Sequence, residues 1–285
     1  MQIQTDKGYI SLNLYAQARK ETEMVAGSIP ELAHQDTVEL RSAVPRQLPD
    51  GVIQHETPKF FFNSEINASL DKILAEKAPE VKKAAYGIIE FNLFATNRDL
   101  SDDERAALLE AGLSQAKYLA DHYMTDDEAS EFLATINLLG AVAKTRKVDP
   151  ATGNVTYIEL PQKPQGAPSD YVNIQKVMQR YDPKAYASLQ SAVATGGNVG
   201  GILIEFAKKL RQHPEWVREY RQEQDRLMTD LRNTKIDNRF EGVNTIDMET
   251  FATEMKERAE HSSLKNIDVL TQNIASFARL LGCSV

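Results

Sequence analysis

The chain has 285 residues, 42% hydrophobic and 26% charged, with a formal net charge of −8. This length and balance suit a globular protein with a sizeable core, and an acidic surface disfavours nonspecific binding to nucleic acid or anionic membranes. The single cysteine, Cys283, excludes an intramolecular disulfide and a thiolate zinc cage, and no run approaches the ~20 apolar residues of a membrane span.

Residues 1–57 differ in composition from the rest of the chain. Tyr9 and Tyr15 are their only aromatics, and Gly27, Pro30, Pro45, Pro49 and Gly51 punctuate them. A segment so poor in apolar periodicity is expected to be a mobile arm, with a short helix at most within residues 8–24. Its start lacks the basic residues and apolar block of a secretory signal.

A folded body is expected from Pro58. Asn63 or Ser64 can cap a helix through Ile66, Leu70 and Leu74. Pro79 opens a very apolar helix reaching about Asn97. Between Ala84 and Ala95 only Gly87, Glu90 and Asn92 fall outside the hydrophobic set, which predicts a central helix surrounded on nearly every side. Ser101-Asp-Asp-Glu104 and Thr125-Asp-Asp-Glu128 are two capping boxes, with acids at the positive end of each helix dipole. They predict an antiparallel helical hairpin. Its facing stripes are Ala106, Leu109, Leu113, Ala116, Ala120 and Tyr123 on one arm and Ala129, Phe132, Ile136, Leu139 and Ala143 on the other. Ala116 and Gly140 are small enough for close approach of the axes.

Asp149-Pro150 and Gly153 then predict a turn, and Val155, Tyr157 and Glu159 alternate with Thr156 and Ile158 as in a β-hairpin. The proline-rich stretch from Pro161 to Pro168 reads as a linker between a helical subdomain over 58–160 and a second over 169–285. Beyond it come a helix over 171–181 and a short one opened by Asp182-Pro183. After Gly196 to Gly201, another carries Leu203, Phe206 and Leu210. Pro214 opens a charged helix through Trp216, Tyr220, Leu227 and Leu231. Thr245 or Asp247 begins one with Met248, Phe251 and Met255. The last has the cleanest stripe, Ile267, Leu270, Ile274, Phe277 and Leu281, and ends at Gly282. The fold class is therefore mainly α: a multi-helix bundle in two packed halves with one small β-hairpin and a mobile N-terminal arm.

Chemistry-bearing residues are sparse. The glycine-rich stretch at 194–201 precedes a helix, as in phosphate loops, but Ile202 and Leu203 stand where a lysine and a hydroxyl residue are needed. The clusters Asp102-Asp103-Glu104 and Asp126-Asp127-Glu128 are explained by helix starts, so no metal is expected. His34, His55, His122, His213 and His261 lack the spacing of a zinc-binding helix. Arg218, Arg221, Arg226 and Arg232 are interleaved with Glu215, Glu219, Glu223, Asp225 and Asp230, the pattern of a solvated ion-paired face rather than a nucleic-acid reader. Glu90 is the one catalytic suspect, a carboxylate in an apolar helix, and its plainer reading is one wet stripe with Lys83, Gly87 and Asn97. No cofactor is expected.

These features favour a non-catalytic, cytoplasmic interaction protein: an adaptor, a chaperone-like factor or an assembly component. Its protein partner, or a second copy of the chain, can dock on Ile267, Leu270, Ile274, Phe277 and Leu281 if that stripe is not core. Two alternatives stand beside it. A signal-less, weakly structured start over about 25 residues ahead of a helical body resembles the layout of substrates of flagellar or other type III export, which implies secretion without a cleaved leader. An all-α enzyme or small-ligand binder instead predicts a pocket near Glu90.

Overall fold

The computed structural model describes residues 63–96, 99–164, 166–168, 170–262, 264 and 267–283. The expected arm over 1–57, its short helix and the export-like start lie outside the described residues. The described chain is mainly α, a helical bundle with a single two-stranded hairpin.

Asn63 is extended, and its side chain accepts the Ile66 amide at 2.9 Å. That cap starts α1 (Ser64–Leu74), which buries Ile66, Leu70, Ile73 and Leu74. α2 (Pro79–Gly87) begins on a proline, whose missing N–H costs nothing in a first turn. The helix then widens. Ile88–Leu93 is a π-helix, closed where the Phe94 amide bonds the Ile89 carbonyl at 3.0 Å. The expected run to Asn97 therefore ends at Phe94. The wide turn buries Ile88, Ile89, Asn92 and Leu93 but leaves Phe91 62% exposed, so this helix is not apolar-covered on every side.

The surrounded helix is instead α3 (Asp102–Tyr123), which packs on α4 (Asp126–Lys144), on the π-helix, on α2 and on the C-terminal helix. Because α3 is covered from several directions, its burial is not one stripe. Ala107, Leu108, Ala111, Tyr118 and Leu119 are buried alongside the expected Leu109, Ala116 and Ala120, whereas Ala106 and Leu113 are half-buried and Tyr123 exposed. Short alanines make this close surround possible. On α4 the expected Phe132, Ile136, Leu139 and Ala143 are buried, and Ala129 is half-buried. Gly140 makes room chiefly for Ile236, whose Cδ1 would lie 2.8 Å from an added Cβ, with Leu113 at 3.6 Å.

Both capping boxes form. The Glu104 amide donates to Ser101 Oγ at 3.3 Å and the Ser101 amide to Glu104 Oε2 at 2.7 Å. The Glu128 amide donates to Thr125 Oγ1 at 3.4 Å and the Thr125 amide to Glu128 Oε2 at 2.8 Å. Lys77 Nζ adds a third donor to Glu128 Oε2 at 2.7 Å. Lys77 first, and the Thr125 amide second, bring the Glu128 carboxyl down to about 2 from an ordinary 4.5. A depressed folded pKa stabilises above the unfolded value and fades as pH falls through the folded one. Acid unfolding should therefore contain a component between about 4.5 and 2 that Glu128→Gln removes, and an NMR titration of Glu128 checks it directly. Thr125→Ala should lower stability by about 1 kcal/mol at neutral pH, measured by denaturant unfolding.

After α4 the chain makes its hairpin from β1 (Lys147–Val148) and β2 (Val155–Thr156), antiparallel, with Lys147 opposite Thr156 and Val148 opposite Val155. Asp149 organises the turn: its carboxylate accepts from the Ala151 amide and Thr152 Oγ1, both at 2.9 Å, and Gly153 takes φ 68°. β2 stops at Thr156 rather than continuing to Glu159. The next residues turn into the body, where the Ile158 amide bonds Thr145 Oγ1, Tyr157 meets Phe94 edge-on at 5.1 Å and Leu160 is buried.

The second half contains α5 (Ile174–Tyr181), α6 (Pro183–Thr195), α7 (Val199–Gln212) and α8 (Pro214–Arg232). α5 starts three residues after Tyr171 because the Asn173 side chain caps the Lys176 amide at 3.2 Å. Asp182 caps α6 through the Ala185 amide at 3.1 Å. Together these helices enclose a small cluster of Val177, Met178, Leu189 and Phe206. Trp216 lies flat against His213 at 4.3 Å and Tyr181 at 5.4 Å beside it. The far end of α8 crosses to the larger cluster through Leu227, Met228 and Leu231. Asp247 then caps α9 (Met248–Glu260), and α10 (Asp268–Leu280) completes the bundle. α10 ends in a Schellman motif: Gly282, at φ 78°, donates to Arg279 O, and Cys283 donates to Ala278 O.

Candidate functional site in a groove beside the π-helix

An open groove of about 400 Å³ runs between the π-helix and α10. Phe91, Ala95 and Thr96 form one wall and Leu108 of α3 lies beneath them. Val269, Gln272, Asn273 and Ser276 form the other wall. Those four positions share one face of α10 at spacings of three and four. Leu280, four residues beyond Ser276, continues the face and is 36% exposed. Gly87 links the two walls, since a Cβ placed there would meet Leu280 Cδ1 at 3.7 Å and Phe91 Cδ2 at 3.8 Å. From Val269 to Leu280 the face extends about 16 Å at a helical rise of ~1.5 Å per residue.

A buried amide cluster fixes this geometry. Asn92 is 3% exposed. Its Nδ2 donates to Leu108 O at 2.9 Å and to Asn273 Oδ1 at 3.0 Å, and Asn273 Nδ2 returns a bond to Asn92 Oδ1 at 3.0 Å. Gln115 Nε2 donates to Asn273 Oδ1 at 2.8 Å. Four bonds thus tie the π-helix, α3 and α10 together at one point, and each donor there is satisfied, as burial requires. The π-helix can approach so closely only because Gly112 faces it. A Cβ at 112 would lie 2.6 Å from Asn92 Cβ. Gly112→Ala gains about 1 kcal/mol of helix propensity but forces two packed helices apart, at a cost near the upper end of the roughly 1–3 kcal/mol for overpacking. A net loss of about 2 kcal/mol is expected, a fall in Tm of roughly 4–8 °C for a body of this size. Asn92→Gly should restore part of it in a double-mutant cycle.

The structure distributes the residues singled out by sequence among several settings. Glu90 is half-buried beside Phe91, and the groove is lined by its neighbours rather than by Glu90 itself. The buried polar residue of that run is Asn92. Of the α10 stripe, Leu270, Ile274 and Phe277 lie in the main core against α9, α3 and α2, while Ile267 and Leu281 are half-buried. The groove uses a flanking face of that helix, the one on which Asn273 meets Asn92 and Gln115. In the glycine-rich loop Gly196 takes φ 69° to end α6, and the Gly201 amide donates to Asn198 Oδ1 at 2.8 Å. The side chain of Asn198 would lie 2.5 Å from a Cβ at 201, so this glycine is required by a helix cap. Among the described histidines, His122 stacks on Tyr118 at 4.2 Å and bonds Thr245 O, His213 Nδ1 meets Glu215 at 2.9 Å, and His261 Nδ1 meets Glu257 O at 2.6 Å. His34 and His55 lie outside the described residues. On α8, Arg221 bonds the Asp170 carbonyl, Glu223 pairs with Arg180, and Glu219 accepts from the Tyr181 hydroxyl at 3.3 Å.

Sequence reasoning missed Phe91 and the Asn92–Asn273–Gln115 cluster. The available signal was Gly112, a glycine in mid-helix with no capping role, which marks a close approach. Comparison with protein-family models, with curated proteins and with solved structures finds no match to this chain.

Proposed function

We propose that the protein is a non-catalytic interaction protein whose α10 groove receives an apolar-faced segment of a protein partner. The observation that carries this reading is Phe91, a large side chain 62% exposed on the wall of a groove whose opposite side is a regular helix face. Aromatic anchors beside grooves are typical of binding hot spots, and a face of about 16 Å matches two to three turns of a bound helix. None of the described residues lining the groove ionises near neutrality, which favours binding over proton-transfer chemistry. Small-ligand binding is the second reading, supported by a volume within the roughly 300–1,000 Å³ of ligand pockets.

The test is site-specific photocrosslinking in the native host. A benzophenone side chain at position 91 should give a discrete protein adduct, and Ser276→Arg, which fills the groove, should abolish it. The same probe at Ile246, 76% exposed and remote in sequence, serves as control. Identical adducts from both positions, or none from position 91, would reject the partner reading.

A further inference from the structure

The exposed side of α10 carries opposite charges at its two ends. Asp268 opens the helix, Arg279 lies in its last turn, and both are exposed. Eleven residues is close to three helical turns, so the two stack along one side about 16 Å apart. Between them on that side stand Gln272, Ala275 and Ser276, none of them charged. Arg279 leans back over this stretch, donating from Nη2 to Ser276 Oγ at 3.1 Å and from Nε to Ala275 O at 3.3 Å, both neutral acceptors. Asp268 has an interaction within its own chain, and a carboxylate, with about four acceptor sites, keeps room for a further donor. Gln272 and Ser276 also line the groove, and Phe91, 62% exposed, stands on its other wall.

One patch thus offers a protruding ring, a hollow, and a charge order that runs from negative to positive along the helix. After half a rotation the same patch runs from positive to negative. Two copies laid antiparallel therefore set each Asp268 against the other copy's Arg279 and present each Phe91 to the other copy's groove. An isologous two-fold interface demands this of a surface, since the patch must complement itself. A different protein would require neither the reversible charge order nor a ring and a hollow in one patch. We propose that the occupant of the groove is a second copy of this chain, packed antiparallel along α10; this rests on the reading of the groove as a protein-docking site. The two walls are about 16 Å long and roughly two helix widths of ~10 Å across, or about 300 Å² per copy. Stable complexes bury roughly 800 Å² per partner, so this dimer is reversible and its signature is concentration dependence.

Sedimentation velocity of the full chain from roughly 5 to 500 µM should show a monomer–dimer equilibrium. Arg279→Asp and Asp268→Arg each oppose like charges twice across the two-fold axis, and each should weaken dimerisation at least about tenfold. An equimolar mixture of these two variants should dimerise again, because every pair between unlike copies is then attractive. Phe91→Ala should also weaken the dimer, and Lys144→Gln, at an exposed lysine ending α4, should not. Circular dichroism checks that each variant is folded; if a reversal unfolds the chain, Arg279→Gln removes the charge without reversing it and should still weaken dimerisation. A monomer throughout the range, a dimer indifferent to Arg279→Asp and Phe91→Ala, or a mixture of the two reversals that stays monomeric would overturn the proposal. Crosslinking from position 91 separates this failure from that of the groove reading. An adduct at twice 31.9 kDa supports the second copy. An adduct of another mass, with the purified chain monomeric, keeps the groove and rejects the second copy. No adduct rejects the groove reading itself.

Discussion

Deleting residues 264–285 is expected to abolish cooperative folding. α10 carries Leu270 at 2% exposure, Ile274 at 0%, Phe277 at 4% and Ala278 at 0%. Removing even one large side chain of this kind costs about 2–5 kcal/mol, transfer and cavity terms together. Three of them exceed much of the ~5–15 kcal/mol that holds a domain folded. The deletion also leaves Asn92 and Gln115 without Asn273, so a buried amide pair loses its partner. Circular dichroism and denaturant titration of the truncated chain measure this. Ile274→Ala is the milder companion and should cost about 3 kcal/mol. If the truncated chain stays folded but changes its oligomeric state or loses a partner, the apolar face of α10 is a docking surface that leaves the core in use. If it stays folded with neither change, the burial seen for Leu270, Ile274 and Phe277 contributes far less than its area implies.

The features legible in sequence are those whose cause is local. Ser101 and Glu104, like Thr125 and Glu128, satisfy each other's amides across three residues, so the pattern announces the helix start wherever the chain goes next. Gly282 ends α10 for an equally local reason, since only a residue comfortable at positive φ completes that turn. The π-helix has no such signature. Its residues, Ile88 to Leu93, would serve an α-helix as well, and the widened turn packs on α3 across Gly112. The exposure of Phe91, which lies within that turn, could not be read from an apolar run. The partners of Asn92 are a carbonyl 16 residues away and a side chain 181 residues away, so its burial belongs to the tertiary fold. The same holds for Glu110. It sits in mid-helix on α3 with nothing nearby to distinguish it from a solvated carboxylate, while its partner Arg239 is 129 residues on.

That pair sets the second large expectation: Arg239→Met should destabilise the protein by about 3 kcal/mol. Arg239 lies in the segment between α8 and α9. Its Nε donates to Glu110 Oε2 at 2.6 Å and its Nη2 to Oε1 at 3.1 Å, while its backbone amide also donates to Oε2 at 2.9 Å. The Glu110 side chain is only 12% exposed and that of Arg239 28%. Hydrogen bonding to Glu110, above all, makes Arg239 more basic than an ordinary arginine. Replacing the arginine leaves a carboxylate largely out of water with one amide for company. Breaking a buried pair from one side costs roughly 3–5 kcal/mol, and the lower figure applies because the arginine end is partly wet. The neighbouring bonds cannot compensate, since Asn238 Nδ2 to Ser114 Oγ at 3.1 Å and Arg258 to Glu241 O hold the same segment but not the charge. Phe240, 1% exposed, is carried on that segment, so its release should expose core and show as faster amide exchange over 233–247. Arg239→Lys retains the charge without the fork and should fall between the two. Adding Glu110→Gln to Arg239→Met should recover part of the loss, because the stranded charge is gone, and the double-mutant cycle gives the coupling. A loss within ~0.5 kcal/mol for Arg239→Met would place this pair with solvent-screened surface bridges and contradict the burial argument.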